Sequence, residues 1–183
     1  MKIAILHTTK GNLEVELYEH DAPLTVAHFI GLVKNNFYDN LQFFKYIPNT
    51  LIQTGCPFNN GLGNCGFHIK SELRGNNQFH GEGTLSMAHA GWNTASSQFF
   101  ICLSERNMQY LNGNHTVFGR VKKEYWATLK DLRKGDVLLG ITLKELPIDA
   151  IYRDAEDQPN VPLKDLPMHI WNRIKENFVI KRK

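Results

Sequence analysis

Gly83-Thr84-Leu85-Ser86-Met87-Ala88-His89-Ala90-Gly91 opens a segment that continues Trp92-Asn93-Thr94-Ala95-Ser96-Ser97 and closes on Gln98-Phe99-Phe100-Ile101. The runs 84–88 and 98–103 are short, apolar-rich and bounded by Gly, Asn and Ser. They read as β-strands, since a helix wants about ten or more residues at 3.6-residue spacing. Alternate side chains of a strand share a face, so Gln98 and Phe100 point the same way. So do Leu51 and Gln53 in the run 51–54. Each strand then shows one apolar side chain and one amide on a common face. That parity fits a groove holding an apolar group beside a peptide backbone, and it fits core packing as well.

Further strands lie on both sides of this segment. At the start, the runs 2–7 and 12–17 are joined by Thr8-Thr9-Lys10-Gly11. Leu13, Val15 and Leu17 alternate with Glu14 and Glu16, the period-2 mark of a half-buried strand, and Lys10-Gly11 suits a hairpin turn. A helix is expected next, with Asp21 as its cap and Pro23 in its first turn. Val26, Phe29, Ile30 and Val33 recur at helical spacing, and Asn35-Asn36 ends it. Strands return over 41–47, 51–54, 84–88, 98–103 and 116–121, and a last one over 137–146. The Gly/Asn-rich stretch from 55 to 83 reads as ordered loops around a short strand. A second short helix is expected over 124–132. Many short strands with only two helices indicate a mainly β, antiparallel sandwich or barrel rather than βαβ units.

Composition narrows the function classes. The chain has 183 residues, 42% hydrophobic and 21% charged, with a formal net charge of +3. That is ordinary globular composition, and so mild a charge gives no reason to expect a nucleic-acid partner. No apolar run approaches the ~18 residues needed to span a bilayer, so no membrane association is expected. Met1-Lys2-Ile3-Ala4-Ile5-Leu6-His7 lacks the apolar region and cleavage site of a secretory signal. Cys56, Cys65 and Cys102 cannot all pair, and their spacing is neither a disulfide framework nor a zinc site. These features point to the cytoplasm. Among the eight histidines no HxxxH-type pair occurs, so no metal and no cofactor is expected. Asn59-Asn60-Gly61-Leu62-Gly63-Asn64 lacks the strand–GxGxxG–helix setting of a nucleotide loop. Cys102, among apolar neighbours, reads as a small buried hydrophobe.

With 83–101, two more segments carry a family likeness: 43–55, which holds Phe43-Phe44-Lys45-Tyr46-Ile47-Pro48, and Tyr110-Leu111-Asn112-Gly113-Asn114-His115-Thr116-Val117-Phe118-Gly119. In order and spacing the chain resembles the cyclophilin family of peptidyl-prolyl cis–trans isomerases over 1–146. The resemblance implies a closed eight-stranded antiparallel β-barrel capped by two helices, with the substrate groove on its outer face. Residues 147–183 then form a C-terminal extension. Within it Ile170, Trp171, Ile174 and Phe178 suggest a helix over 168–178, either packed on the domain or free for a partner.

Position by position, the family's catalytic arginine falls on Lys45 and its glutamine on Gln53. The substrate-binding positions fall on Thr50, Leu51, Gly61, Ala88, His89, Ala90, Gln98, Phe100, Tyr110, Leu111 and His115. Phe100, Leu51 and Leu111 are expected to form the proline pocket, with His115 lining it. The main chain at His89, with Gln53 and Gln98, is expected to anchor the peptide. The expected partners are proline-containing peptides and proteins, and the expected role is assistance to folding. Several positions depart from the family pattern. Lys45 keeps the charge of arginine but loses its rigid fork, which predicts a weakened isomerase. Thr50 replaces phenylalanine and removes an aromatic wall. Tyr110 replaces tryptophan and removes an indole donor, so cyclosporin binding is expected to be weak. His89 replaces asparagine. The rival reading is a catalytically impaired proline-peptide binding or scaffold module, and a weaker one makes 147–183 the functional part.

Overall fold

A computed structural model of the chain describes residues 2–145. The extension and its expected helix lie outside the described residues. Nine antiparallel strands build one curled sheet: β1 (Lys2–Thr8), β2 (Gly11–Leu17), β3 (Leu41–Gln42), β4 (Lys45–Ile47), β5 (Leu51–Thr54), β6 (Thr84–Met87), β7 (Phe99–Cys102), β8 (Val117–Val121) and β9 (Val137–Glu145). Their order is β3-β9-β1-β2-β8-β6-β7-β5-β4. Two helices accompany it, α1 (Pro23–Lys34) and α2 (Trp126–Asp131), the latter entered through a 3-10 turn at Lys123–Tyr125.

The barrel expected from the sequence was eight-stranded and closed. Instead the run 41–47 divides into β3 and β4, which stand at opposite edges of the sheet. Leu41 and Gln42 pair with Leu138 and Val137 of β9, whereas Lys45–Ile47 pairs with β5. Phe43 and Phe44 carry the chain across. Phe43 donates its N–H to Asp136 O and accepts the Gly135 N–H, both at 2.9 Å. No ladder joins β3 to β4 among the described residues, so the two edges meet through this covalent crossing.

Helix α1 begins where Pro23 predicts, but Asp21 does not cap it. The cap comes from the loop between β5 and β6: the Glu72 carboxylate accepts the N–H of Leu24 at 3.0 Å and of Thr25 at 2.8 Å, plus the Thr25 hydroxyl. These are among the orphan donors of a first turn, and a carboxylate there also complements the helix dipole. Asp21 instead accepts from the Asn76 N–H and the Asn77 side-chain amide. Both bonds hold the long loop against the domain. That loop contains no strand, only a single bridge between Ile69 and Ala95.

The core lies between the concave sheet face and α1. Phe29, Tyr38, Phe99 and Phe118 pack there with centroids 5.3–6.0 Å apart in tilted and edge-to-face pairs, the arrangements aromatic quadrupoles favour. Tyr38 is buried and donates its hydroxyl to Ser97 O at 3.1 Å. Burial raises its pKa well above the usual phenol value.

Candidate active site

Register alone assembles the outer face. Lys45 is opposite Gln53, Gln53 is opposite Phe100, and Phe100 is opposite Ser86. Directly paired residues in antiparallel strands project to one side, so a cation, an amide, an aromatic ring and a hydroxyl form a single transverse row. Their neighbours Ile52, Ile101 and Leu85 belong to the opposite row and enter the main core. These strands therefore show two faces, one to the core and one carrying the transverse row.

A second apolar cluster sits on the outer face, distinct from the core. It consists of Leu51, Phe100, Cys102, Met108 and Leu111, with Ala88 packed against it. Leu51 and Cys102 are register partners, while Met108 and Leu111 come from the loop and 3-10 turn at Gln109–Leu111. Cys102 is buried, and that burial pushes its thiol up to about 11, so it packs as a hydrophobe.

Beside this cluster runs a chain of amides. Gln53 donates from Nε2 to Gln98 Oε1 at 2.9 Å. Gln98 in turn donates from Nε2 to the carbonyls of Gly61 and Gly63 at 2.8 and 2.7 Å. This network assigns both amide orientations. The Gln53 side-chain oxygen accepts no hydrogen bond from the described residues. Gly61 has φ +86°, and a Cβ there would come within 3.1 Å of the Phe44 ring. Only glycine places its carbonyl under Gln98 without strain. The loop is held from behind by Cys56, whose buried sulfur accepts the N–H groups of Gly61 and Gly63 at 3.3 and 3.2 Å. Burial alone raises this thiol's pKa, but the bonds from Asn60, Gly63, Phe58 and Gly61 together bring it below the usual value.

The other wall is made of imidazoles. His115 meets Phe100 edge-on at 5.6 Å and stacks on His89 at 3.9 Å. His115 donates from Nδ1 to Met87 O at 2.9 Å. His89 accepts the Gly91 N–H on Nδ1, which assigns the proton to Nε2 and makes that nitrogen the donor to Asn114 O at 2.8 Å. Burial, opposed by the Met87 bond and reinforced by the neighbouring His89 ring, holds His115 below the ordinary histidine value.

Not every expected position joins these contacts. Tyr110 is 72% exposed although Leu111 beside it is buried. Thr50 turns its hydroxyl to Pro48 O at 3.2 Å, within its own turn. Ala90 is exposed, and its N–H is bonded to Thr94 Oγ1. Lys45 is exposed and takes part in none of the ion pairs among the described residues. Conversely, sequence reading passed over Met108, Ser86, His80 and Asn112. Parity with Phe100 marks Cys102, whereas Ser86 comes beside Phe100 only through the strand register of the fold. No local pattern marks the other three.

The chain carrying this site matches a known family over most of its length. The family model for "Cyclophilin type peptidyl-prolyl cis-trans isomerase/CLD" matches residues 3–151. The chain belongs to the cyclophilin family. Among its relatives, a peptidyl-prolyl cis-trans isomerase of Synechococcus elongatus is 43% identical over 144 residues, covering 78% of this chain and 97% of that protein. Peptidyl-prolyl cis-trans isomerase B of Bacillus subtilis is 45% identical over 139 residues, covering 75% and 95%. A Cryptosporidium parvum cyclophilin-type isomerase, whose crystal structure was determined in the presence of the dipeptide Ala-Pro, superposes with a TM-score of 0.71 at 28% identity. The match covers 79% of this chain and 99% of that one. As a cyclophilin, the chain is a peptidyl-prolyl cis–trans isomerase. The family fold expected from the resemblance is present in its strands and two helices, with the edge arrangement described above.

Proposed function

We propose that this cyclophilin isomerises X–Pro bonds at a rate held down by Lys45. The supporting observation is the row Lys45–Gln53–Phe100 across β4, β5 and β7, flanked by the cup of Leu51, Phe100 and Leu111. Rotation about an X–Pro bond faces a barrier of about 18–20 kcal/mol because the amide is conjugated. No covalent step is needed to lower it. The site holds the ring, anchors one flank of the peptide and favours the twisted amide over both planar forms. In the twisted state the proline nitrogen regains a lone pair, and a cation donating a hydrogen bond to it stabilises that state selectively.

In this reading Phe100, Leu51 and Leu111 receive the proline ring, with His115 beside them. Gln53, Gln98 and the main chain at Ala88, His89 and Ala90 anchor the peptide, and Gly61 fixes Gln98. Lys45 donates to the reacting amide. Its ammonium is a point charge on a flexible stem and cannot bond the nitrogen and a supporting group in one rigid fork. Losing one well-aimed transition-state donor costs roughly 2–4 kcal/mol. Thr50 adds no second aromatic wall to the cup beside Phe100. Tyr110 lacks the indole N–H, and calorimetry with cyclosporin is expected to show weak or no binding; a tight isotherm contradicts this.

The replacements at Lys45 and Thr50 favour one rival, a proline-peptide binding module. NMR exchange spectroscopy on an Ala-Pro peptide separates the two. Accelerated cis/trans cross-peaks are expected for the isomerase. Shift changes without acceleration would leave only the binder.

A further inference from the structure

A third imidazole lies behind the cup. His80 is fully buried, at 0% exposure, and its imidazole lies nearly parallel to Phe100, 17° off with centroids 6.0 Å apart. Both nitrogens are bonded. Nδ1 is 2.9 Å from Asn112 Oδ1, and Nε2 is 2.9 Å from Ser86 Oγ. Asn112 Oδ1 also accepts the His80 backbone N–H at 2.8 Å, which fixes that atom as oxygen and makes Nδ1 the donor. Each partner belongs to the site's framework. Ser86 is opposite Phe100 on β6, and Asn112 directly follows the cup residue Leu111.

A histidine that merely filled the core would turn its faces to the core aromatics, Phe29, Tyr38, Phe99 and Phe118. His80 instead turns a face to Phe100, across the strand from that core. Phe100 is thus held between two imidazoles, His80 stacked on it and His115 against it edge-on. Aromatic pairs of this kind contribute beyond the area they bury and fix orientation as well as distance. A substrate proline pressing on Phe100 meets a ring whose tilt is already set.

We propose that His80 is a positioning residue for proline binding: its ring, pinned by Asn112 and Ser86, holds Phe100 in the orientation that receives the substrate ring. The inference rests on the isomerase reading of the groove, and it concerns how tightly the pocket grips rather than how the amide twists. Phe100 grips the proline equally in the planar and twisted states, so loss of His80 is expected in KM and Kd with kcat preserved.

The test compares His80→Phe, His80→Leu and Asn112→Ala with the unaltered protein. His80→Phe keeps a flat ring and leaves no orphan partner, since Asn112 Oδ1 retains the backbone N–H and the Ser86 hydroxyl, released from Nε2, can donate to Thr116 O at 3.1 Å. His80→Leu removes the flat face. Asn112→Ala keeps the imidazole but removes the acceptor of its Nδ1–H and of the His80 backbone N–H; it releases the ring without emptying the space beside Phe100 and remains informative if His80→Leu does not fold. The Kd for an Ala-Pro peptide, read by NMR titration, is expected to rise roughly three- to tenfold in His80→Leu and two- to threefold in Asn112→Ala, and to stay within about twofold in His80→Phe. Exchange rates at saturating peptide are expected to stay within about twofold of the unaltered protein in all three. The proposal is overturned if Kd is unchanged in His80→Leu and Asn112→Ala, or if His80→Phe weakens binding as much as His80→Leu. It is equally overturned if the variants lose exchange rate at unchanged Kd, the pattern of a scaffold residue. Absence of accelerated exchange in the unaltered protein would instead defeat the isomerase reading, and the Kd series would still decide the role of His80.

Discussion

At the scale of single residues, the site depends on a few side chains whose hydrogen bonds leave no slack. Gln98 is the hinge of the amide chain: it accepts from Gln53 and donates to the carbonyls of Gly61 and Gly63. Replacing it by leucine strands two carbonyls and frees Gln53. The variant is expected to lose about 1–3 kcal/mol of stability, readable by urea titration, and to raise KM in an isomerase assay. Unchanged KM would remove Gln98 from the peptide anchor. Parity alone pairs Leu51 with Gln53 and Gln98 with Phe100, because alternation is a local property of the chain, and it leaves open whether their face is groove or core. Of the three imidazoles, His89 and His115 stand at positions that the family resemblance marks, and His80 does not: nothing local to it tells that the fold sets its ring against Phe100.

At the scale of elements, the long loop between β5 and β6 is a structural member rather than a spacer. Glu72 caps α1, while its own N–H is bonded to Thr116 Oγ1 at 2.9 Å, just before β8. Glu72→Ala is expected to destabilise the protein by about 1–2 kcal/mol. Glu72→Gln is expected to recover part of that loss in a thermal melt. Equal melting of Glu72→Ala and the unaltered protein would show the cap to be energetically idle. The helix itself was readable from Pro23 and the spacing of Val26, Phe29, Ile30 and Val33, and its cap was not. Asp21 stands where a local cap belongs, but the side chain that supplies it is 48 residues from Leu24, a distance no local pattern spans. The same limit explains the split of 41–47 into two strands: alternation reports which face a residue takes, not which neighbour its backbone pairs with.

At the scale of the whole molecule, His80 is buried and His28 and His115 are half-buried, and that ties stability to pH. Burial lowers the pKa of His28, His80 and His115 below the ordinary value near 6.5, against opposing bonds to Ser96, Asn112 and Met87. Between each lowered value and 6.5 the unfolded chain binds more protons than the folded one, so stability rises with pH across that window. The contribution is fully present above about pH 6.5 and is lost as the pH falls through the folded values. The melting temperature is therefore expected to drop between about pH 7.5 and 5.5, and to drop less in His80→Phe; a flat profile would contradict this. Most strands and both helices of the described residues were legible from the sequence, since each follows from alternation or helical spacing. The central claim concerns one charge placed by that framework. It is tested most directly by kcat/KM on an Ala-Pro tetrapeptide for the unaltered protein and for Lys45→Arg. The account predicts measurable isomerase activity in the first and an increase of roughly tenfold or more in the second. An unchanged or lower value for Lys45→Arg would contradict it.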